Sequence, residues 1–252
     1  MKFDRFIVVC LCICVLISAF ISCTKQDMIN SEDIKDETII KNDAQDSGEE
    51  KELSNDEKSS LNETTYVSHL ATEDFLEPFD DFSWEREYPV EKIVLHFTSA
   101  VVLSKDDPYN MDTIRSIFED NSLSINYIID RNGNITCFLP ESRCAWHAGA
   151  GTFADDEKYT NTMNKYSIGI EIVAIGSEND MKQYLTPQEY SSLSSSLIGF
   201  TDEQYTALSE LISDICSRYN IPCDREHIIG HNEYNPNKSD PGELFDWSRI
   251  IK

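Results

Sequence analysis

The chain has 252 residues, of which 40% are hydrophobic, and a formal net charge of −25 at pH 7. This length and apolar content allow one ordinary domain with extensions or two small domains, and one domain is expected. The negative charge argues against sequence-independent nucleic-acid binding, which needs a basic face, and the surplus acidity lies towards the N-terminus, where residues 24–88 hold 20 acidic and 6 basic side chains.

Residues 1–22 have the composition of an export signal. Lys2 and Arg5 precede an uncharged run that ends at Ser22. The segment FISC, which ends at Cys23, resembles the lipobox of bacterial lipoprotein signals, in which the cysteine is acylated and becomes the new N-terminus. An uncleaved membrane anchor is the alternative, because the run is close to the lower length limit for spanning a bilayer. Both interpretations place the rest of the chain outside the cytoplasm and tethered to a membrane.

Residues 23–85 are predicted to form a disordered acidic linker that begins at the lipidated Cys23. Asp, Glu, Lys, Ser and Asn are abundant there, and such a composition cannot bury enough apolar surface to offset the entropy lost on ordering. Aromatic residues reappear in FLEPFDDFSWEREYP, which indicates either an arm packed on the domain or a linker end with a few docked aromatics. The folded domain is assigned to residues 86–252.

Periodicity and turn signals predict the elements of that domain. Short apolar runs indicate buried strands, a spacing of three and four residues indicates helices, and Arg131-Asn132-Gly133-Asn134 between two apolar runs indicates a hairpin. Thr201 and Gln204 form the capping box of the most regular helix. In chain order these predictions are a strand at 91–97, a helix at 111–120, the hairpin, a strand at 167–174, a helix from Thr201 to Asn220 and a strand at 226–229.

The segment HIIGHNEYNPNKSDPG contains His231, Lys238 and Asp240 in one irregular, proline-punctuated stretch. An imidazole and a carboxylate are typical metal ligands, and a loop that folds back can aim both at one cation. Two protein ligands are too few, so a third is expected upstream. His96, at the end of the first strand, is the candidate; a histidine satisfied within the core is the alternative for that residue alone.

Other polar residues stand in unusual surroundings. Glu171 interrupts an apolar strand, where its carboxylate must either face solvent or lie in a cleft with an adjusted pKa. Trp146 and His147 lie in a stretch rich in Ala and Gly, which indicates either a ligand-facing wall or a loop anchored by a packed tryptophan. Asn164 either orients a ligand or makes a turn.

Four cysteines lie within the predicted domain, in two C-x6-C pairs. An exported protein can oxidise them, and pairing within each unit is the simplest of the three possible connectivities. Reduced, buried thiols are the alternative. The residues are Cys137, Cys144, Cys216 and Cys223.

Five motifs, in this order, resemble the zinc-dependent N-acetylmuramoyl-L-alanine amidases of the type 2 amidase family, whose fold peptidoglycan recognition proteins share: IVLHFTS, INYIIDRNGNI, AWHAG, NKYSIGIE and HIIGHNEYNPNKSDPG. The resemblance covers residues 89–252. It implies an α/β fold in which helices flank a central mixed β-sheet.

The resemblance also implies roles for particular residues. The zinc ligands of the family fall on His96, His231 and Asp240, its catalytic glutamate on Glu171, and its lysine before the last ligand on Lys238. The positions that line its substrate cleft fall on Trp146, His147 and Asn164. Asn126 stands where many relatives have a histidine, and its contact with substrate is a hypothesis. Ile125 stands where phage enzymes have a catalytic tyrosine, so a tyrosine-assisted variant is not expected.

The implied function is zinc-dependent hydrolysis of the amide bond between N-acetylmuramic acid and L-alanine in peptidoglycan or muropeptides. The protein is expected to be a monomer, held by a lipid anchor at the cell membrane or outer membrane of a bacterium and facing the periplasm or cell wall. One alternative is a non-catalytic peptidoglycan-binding lipoprotein of the same fold. Another is a structural lipoprotein that tethers the envelope to the wall through its acidic segment.

Overall fold

The computed structural model describes residues 67–251. Within this range the chain forms eight strands and seven α-helices. The strands are β1 (Thr72–Glu73), β2 (Ser83–Glu85), β3 (Lys92–Thr98), β4 (Tyr127–Ile129), β5 (Ile135–Cys137), β6 (Arg143–Ala145), β7 (Ser167–Val173) and β8 (Ile228–Gly230). The helices are α1 (Phe79–Phe82), α2 (Met111–Asn121), α3 (Met163–Tyr166), α4 (Glu178–Met181), α5 (Pro187–Ser191), α6 (Asp202–Tyr219) and α7 (His231–Tyr234).

A six-stranded sheet forms the centre of the fold, with the strand order β1-β5-β4-β7-β3-β8. The strands β4, β7, β3 and β8 run parallel to one another, β5 runs antiparallel to β4, and β1 pairs in parallel with β5. Strands β2 and β6 form a separate antiparallel pair. The predicted central mixed sheet with flanking helices is therefore confirmed.

Each face of the sheet buries a different set of apolar side chains, because successive residues of a strand point to opposite faces. Leu95 and Ile170 pack in one cluster with Leu208 and Leu211 of α6. Ile128, which points the opposite way from its neighbours in β4, packs in a second cluster with α2. Polar groups at alternate positions of β3 and β7 consequently lie on the face opposite α6.

Helix α6 follows the predicted pattern closely. The Thr201 side chain accepts a hydrogen bond from the Gln204 backbone N–H, the Gln204 side chain accepts one from the Thr201 N–H, and Asn220 ends the helix in a left-handed conformation. The capping box and the αL cap satisfy backbone groups that a helix leaves unpaired at its ends. The predicted helix at 111–120, the hairpin at 131–134 and the strands β3, β7 and β8 are also present, with boundaries that differ by one or two residues.

The domain begins earlier than the predicted boundary at residue 86. β1 pairs with β5, β2 pairs with β6, and Leu76 is fully buried. Arg86 donates hydrogen bonds to the backbone carbonyls of Glu141 at 2.8 Å, Lys165 at 3.0 Å and Ser167 at 2.9 Å. The aromatic stretch is thus an arm packed on the domain, and residues 67–85 are not linker. The predicted signal peptide, Cys23 and the rest of the predicted linker lie outside the described residues.

A buried carboxylate joins α6 to the turn that precedes β6. The Glu141 side chain has no solvent exposure, and it accepts hydrogen bonds from Arg218 Nη2 at 2.6 Å, Tyr127 Oη at 2.6 Å and Tyr219 Oη at 2.8 Å. The guanidinium of Arg218 supplies the positive charge that compensates this buried negative charge.

We expect Arg218→Ala to lower the free energy of unfolding by about 3–5 kcal/mol, because it leaves a buried charge without its counter-ion. Lys105→Ala is the matched control, since Lys105 pairs with Glu189 at the surface and such pairs contribute at most about 1 kcal/mol. Urea titrations of the two variants measure the difference. Equal losses of stability would show that the Glu141 pair makes no special contribution.

The four cysteines of the domain are free thiols, so the local disulfides considered from the sequence are not formed. Cys137, Cys144 and Cys216 are buried, whereas Cys223 is exposed. Between residues 67 and 251, no helix has both the length and the apolar character needed to cross a membrane.

Candidate metal centre and active site

The parallel strands bring the polar candidates together at their carboxyl ends. In the register of β3 and β7, His96 stands opposite Glu171, and both alternate with residues that face α6. β8 lies on the other side of β3 and ends at Gly230, so that His231 follows immediately. Ligand sites of open α/β sheets commonly lie at this edge.

The segment after β8 folds back and carries Asp240 to the same place. The Asn232 N–H donates to the Asp240 carbonyl at 2.9 Å, and the Asn235 N–H donates to the His231 carbonyl at 2.8 Å. The sequence predicted an irregular stretch here, but residues His231–Tyr234 form helix α7. This single helical turn sets the spacing that places His231 and Asp240 side by side.

Three side-chain atoms converge there. His96 Nδ1 lies 2.8 Å from Asp240 Oδ2 and 3.0 Å from His231 Nδ1, and His231 Nδ1 lies 3.0 Å from Asp240 Oδ2. Tetrahedral zinc with bonds of about 2.0–2.1 Å would separate its ligand atoms by about 3.3 Å, so only a small expansion of this triangle would seat the ion. The structure therefore brings the three predicted metal ligands together.

The hydrogen bonds of the outer ring nitrogens favour a cation at this point. His231 Nε2 lies 2.9 Å from the Ala148 carbonyl, which can only accept, so Nε2 carries the proton and Nδ1 of the neutral ring does not. In the neutral form that binds metals, the converging atoms are acceptors, and a cation between them relieves the repulsion of their lone pairs. The donor set of two imidazoles and one carboxylate fits zinc with one position open for water.

Burial controls the protonation of these ligands. Desolvation, followed by the charge of His231, lowers the pKa of His96 to about 4. Although burial acts to raise it, the pKa of Asp240 is held well below its ordinary value by His231 and His96. At neutral pH these two ligands are therefore in the deprotonated states that coordinate a metal.

Glu171 lies beside the three candidate ligands, and the pKa of its carboxyl is unusual. Burial, followed by the charge of Asp240, raises its pKa well above the ordinary value of 4.5, while Lys238 acts in the opposite direction. The Oε2 atom is buried and has no hydrogen-bond partner among the described residues. A carboxyl whose pKa is raised in this way can hold a proton and exchange it with a reacting group.

Two further side chains act on the same carboxylates. Lys238 is half-buried and lies on the folded-back segment, where its backbone N–H donates to the Asn235 carbonyl at 3.0 Å. Tyr184, between α4 and α5, is 49% exposed. Desolvation, followed by the charges of Asp240 and Glu171, raises the pKa of Tyr184. No periodicity or motif marks this tyrosine in the sequence.

Residues of the loop after β6 contact the candidate metal ligands His96 and His231. Asn164 is buried, and its Oδ1 accepts hydrogen bonds from the backbone N–H groups of His147 at 3.3 Å and Ala148 at 2.8 Å. His147 contacts His96 through their ring nitrogens, 3.0 Å apart. The printed contacts of Asn164 and His147 thus position the loop and His96, and the contact of either residue with substrate stays a prediction.

Trp146 and Asn126 have different surroundings. Trp146 is half-buried, its ring centroid is 4.2 Å from that of Trp84, and its backbone N–H donates to Ser124 Oγ at 2.7 Å. Its contact with substrate stays a prediction. Asn126 is fully buried, with Oδ1 accepting from the Gly169 N–H at 3.1 Å and Nδ2 donating to the Arg143 carbonyl at 3.3 Å. This corrects the predicted substrate contact, because Asn126 fills a structural position between β4 and β7.

The profile of the N-acetylmuramoyl-L-alanine amidase family matches residues 86–243, which include the candidate ligands His96, His231 and Asp240 and the adjacent Glu171 and Lys238. The chain belongs to this family. The resemblance drawn from the five sequence motifs is therefore confirmed, and the family match includes both the strands and the folded-back segment that carry the candidate metal ligands.

Individual relatives agree with this assignment. The chain is 34% identical over 130 residues to the 1,6-anhydro-N-acetylmuramyl-L-alanine amidase AmpD of Haemophilus influenzae, covering 51% of this chain and 57% of that protein. It is 32% identical over 130 residues to the AmpD of Enterobacter cloacae, covering 51% and 56%. The chain thus spans little more than half the length of these curated relatives. A crystal structure of a selenomethionine derivative of AmpD shares the fold, with a TM-score of 0.51, 21% identity and coverage of 75% of this chain and 96% of that one.

Proposed function

We propose that this protein is a zinc-dependent amidase that hydrolyses the bond between N-acetylmuramic acid and L-alanine in peptidoglycan or muropeptides. The observation that carries the proposal is the convergence of His96 Nδ1, His231 Nδ1 and Asp240 Oδ2 within 3.0 Å of one another. Glu171 stands directly beside them. Family membership and the names of the AmpD relatives support the same reaction.

Each residue of the site has a separate role in the proposed reaction. A zinc ion held by the three ligands would supply a Lewis acid that polarises the scissile carbonyl and makes water more acidic. Glu171 takes one proton from the attacking water and delivers it to the leaving nitrogen of L-alanine as the C–N bond breaks. Lys238 stabilises the negative charge that develops on the carbonyl oxygen.

The expected product is free stem peptide released from the glycan. We would incubate the full chain, loaded with zinc, with defined muropeptides that carry either an ordinary or a 1,6-anhydro-muramic end, and analyse the products by mass spectrometry. The relatives named as 1,6-anhydro enzymes favour the second substrate. Release of stem peptide that stops on addition of a chelator and returns on addition of zinc is the expected result.

Retention of intact muropeptide without cleavage would contradict the proposed activity and favour the non-catalytic binding lipoprotein. Release that is insensitive to chelation would contradict the zinc dependence. Wall association that does not depend on zinc, without cleavage, would favour the structural lipoprotein.

We also propose that the protein is exported and lipid-anchored through Cys23 at a bacterial membrane, facing the periplasm or cell wall, and acts as a monomer. The support is the sequence of residues 1–23, with its two basic residues, its uncharged run and the segment FISC. Metabolic labelling with a fatty-acid analogue tests this location. Labelling of the wild-type chain that is absent in Cys23→Ser is the expected result, and equal labelling of both chains would contradict it.

A further inference from the structure

A chain of hydrogen bonds runs from the core to the first metal ligand, and it begins at Ser167. Ser167 is fully buried at the start of β7, and its Oγ lies 2.7 Å from the Met163 carbonyl. A carbonyl oxygen can only accept a hydrogen bond, so the single hydroxyl proton of Ser167 is committed to it. The Ser167 oxygen is left as an acceptor for any other partner.

That partner is His147. His147 Nε2 lies 3.1 Å from Ser167 Oγ, and since the serine proton points to Met163, the imidazole must donate from Nε2. A neutral imidazole that is protonated on Nε2 has a bare Nδ1. His147 Nδ1 lies 3.0 Å from His96 Nε2, so His96 donates its Nε2 proton to His147.

These hydrogen bonds determine which ring nitrogen of His96 is unprotonated. With Nε2 protonated, the neutral His96 ring has a bare Nδ1, and this is the atom that lies 2.8 Å from Asp240 Oδ2 and 3.0 Å from His231 Nδ1. The Met163 carbonyl thus fixes the donor direction of Ser167, then of His147 and then of His96. The lone pair of His96 Nδ1 consequently faces the metal position.

The surroundings of His147 are built to hold its ring in this place. A Cβ at Gly169 would lie 2.8 Å from His147 Cγ and 2.5 Å from Ile125 Cδ1, so the absence of a side chain in β7 makes room for the imidazole. The rings of His147 and His96 meet edge to face, at an interplanar angle of 87°. The backbone of His147 is held by Asn164.

We propose that His147 and Ser167 are positioning residues that fix the tautomer and orientation of His96 for metal binding. The proposal rests on the proposed metal site but not on the amidase reaction. The two histidine ligands are supported differently: His231 donates directly to the Ala148 carbonyl, whereas His96 depends on side chains that can be changed by mutation. Outer-shell partners of this kind typically change metal affinity by about 10–100-fold.

The direct test is the proton position on each ring of the full-length wild-type chain, with and without zinc, from long-range proton–nitrogen NMR spectra of the 15N-labelled imidazoles. We expect His147 and His96 to be protonated on Nε2 in both states. Protonation of His147 on Nδ1 would overturn the proposal, and this measurement does not depend on any variant folding correctly.

The second test compares zinc affinities by competition with a chromophoric chelator. We expect His147→Ala to weaken zinc binding by about 10–100-fold and His147→Gln to restore part of the loss, because the Gln oxygen can still accept from His96 Nε2. Ser167→Ala should shift part of the His147 population to the other tautomer. His69→Ala, at a side chain that is 78% exposed, is the control with no expected effect.

Wild-type zinc affinity in His147→Ala would contradict the proposal while leaving the amidase function intact. If these variants weaken zinc binding as expected but the wild-type chain releases no stem peptide, only the amidase function would be contradicted. If the wild-type chain bound no zinc, the proposed metal role of His147 would fail together with the site.

Discussion

Asp240→Ala is expected to abolish zinc binding and the release of stem peptide together. Removal of the carboxylate leaves two imidazoles, which are too few to hold zinc in a site of three protein ligands. The loss of zinc affinity should exceed the roughly 100-fold upper limit seen for outer-shell partners, since Asp240 Oδ2 is one of the three converging atoms. Isothermal titration with zinc and mass spectrometry of the muropeptide products measure the two effects.

Thermal unfolding provides an independent measure of the same loss. A ligand present at 100 times its dissociation constant stabilises the folded state by about 2.7 kcal/mol, so zinc should raise the Tm of the wild-type chain but not that of Asp240→Ala. Asp120→Ala, at an exposed position near the end of α2, is the control and should respond to zinc as the wild type does. Equal stabilisation of Asp240→Ala and wild type by zinc would exclude Asp240 as a ligand.

Glu171→Gln is expected to lower kcat/KM by roughly 10²–10⁴-fold, the range for loss of a general base or acid, while zinc binding is retained. Gln has nearly the same shape as Glu but cannot take a proton from water and deliver it to the leaving amine. Hydrolysis rates with a defined muropeptide, together with the zinc content of the purified variant, separate this effect from loss of the metal. A rate equal to that of the wild type would remove Glu171 from the mechanism.

The same substitution is expected to stabilise the zinc-free protein. Because the folded-state pKa of Glu171 lies well above 4.5, the folded chain holds this proton more tightly than the unfolded chain does. The stabilisation from Glu171 is therefore fully present below pH 4.5 and declines as pH rises towards the folded pKa. Gln does not titrate, so Glu171→Gln should have a higher Tm than the wild type at neutral pH, and the two should converge at low pH.

Glu210→Gln, on the exposed side of α6, serves as the control for both measurements and should change neither the rate nor the Tm appreciably. A Tm difference between Glu171→Gln and the wild type that is the same at low and neutral pH would show that packing, and not ionisation of the carboxyl, is responsible.

Much of the fold and of the candidate site could be predicted from local sequence. The capping residues Thr201 and Gln204 define the start of α6 within its own first turn, and a short apolar run needs only its own composition to indicate β3 or β7. The candidate ligands were also found in this way, because imidazole and carboxylate side chains are uncommon in apolar strands and proline-punctuated loops, and the order of five motifs resembled one family.

The arm at residues 67–85 is a different case. β1 has two exposed residues and β2 has three residues, so neither carries a detectable period, and their existence depends on backbone pairing with β5 and β6. A helix is specified by contacts three and four residues apart, whereas a short edge strand is specified by its partner elsewhere in the chain. The acidic composition therefore indicated a linker at residues 67–85, whereas the structure has a folded arm there.

Local sequence was enough to nominate His96, His231 and Asp240 as candidate metal ligands and Glu171 as a candidate proton carrier, and the structure brings these four residues together. The surroundings of the other polar residues depend on the tertiary structure. Asn126 and His147 have side chains that suit either a substrate or a buried partner, and the choice depends on which groups lie within about 3 Å of their polar atoms. Those neighbours are Gly169 and Ser167 in β7, Arg143 in β6 and His96 in β3, which the fold brings together.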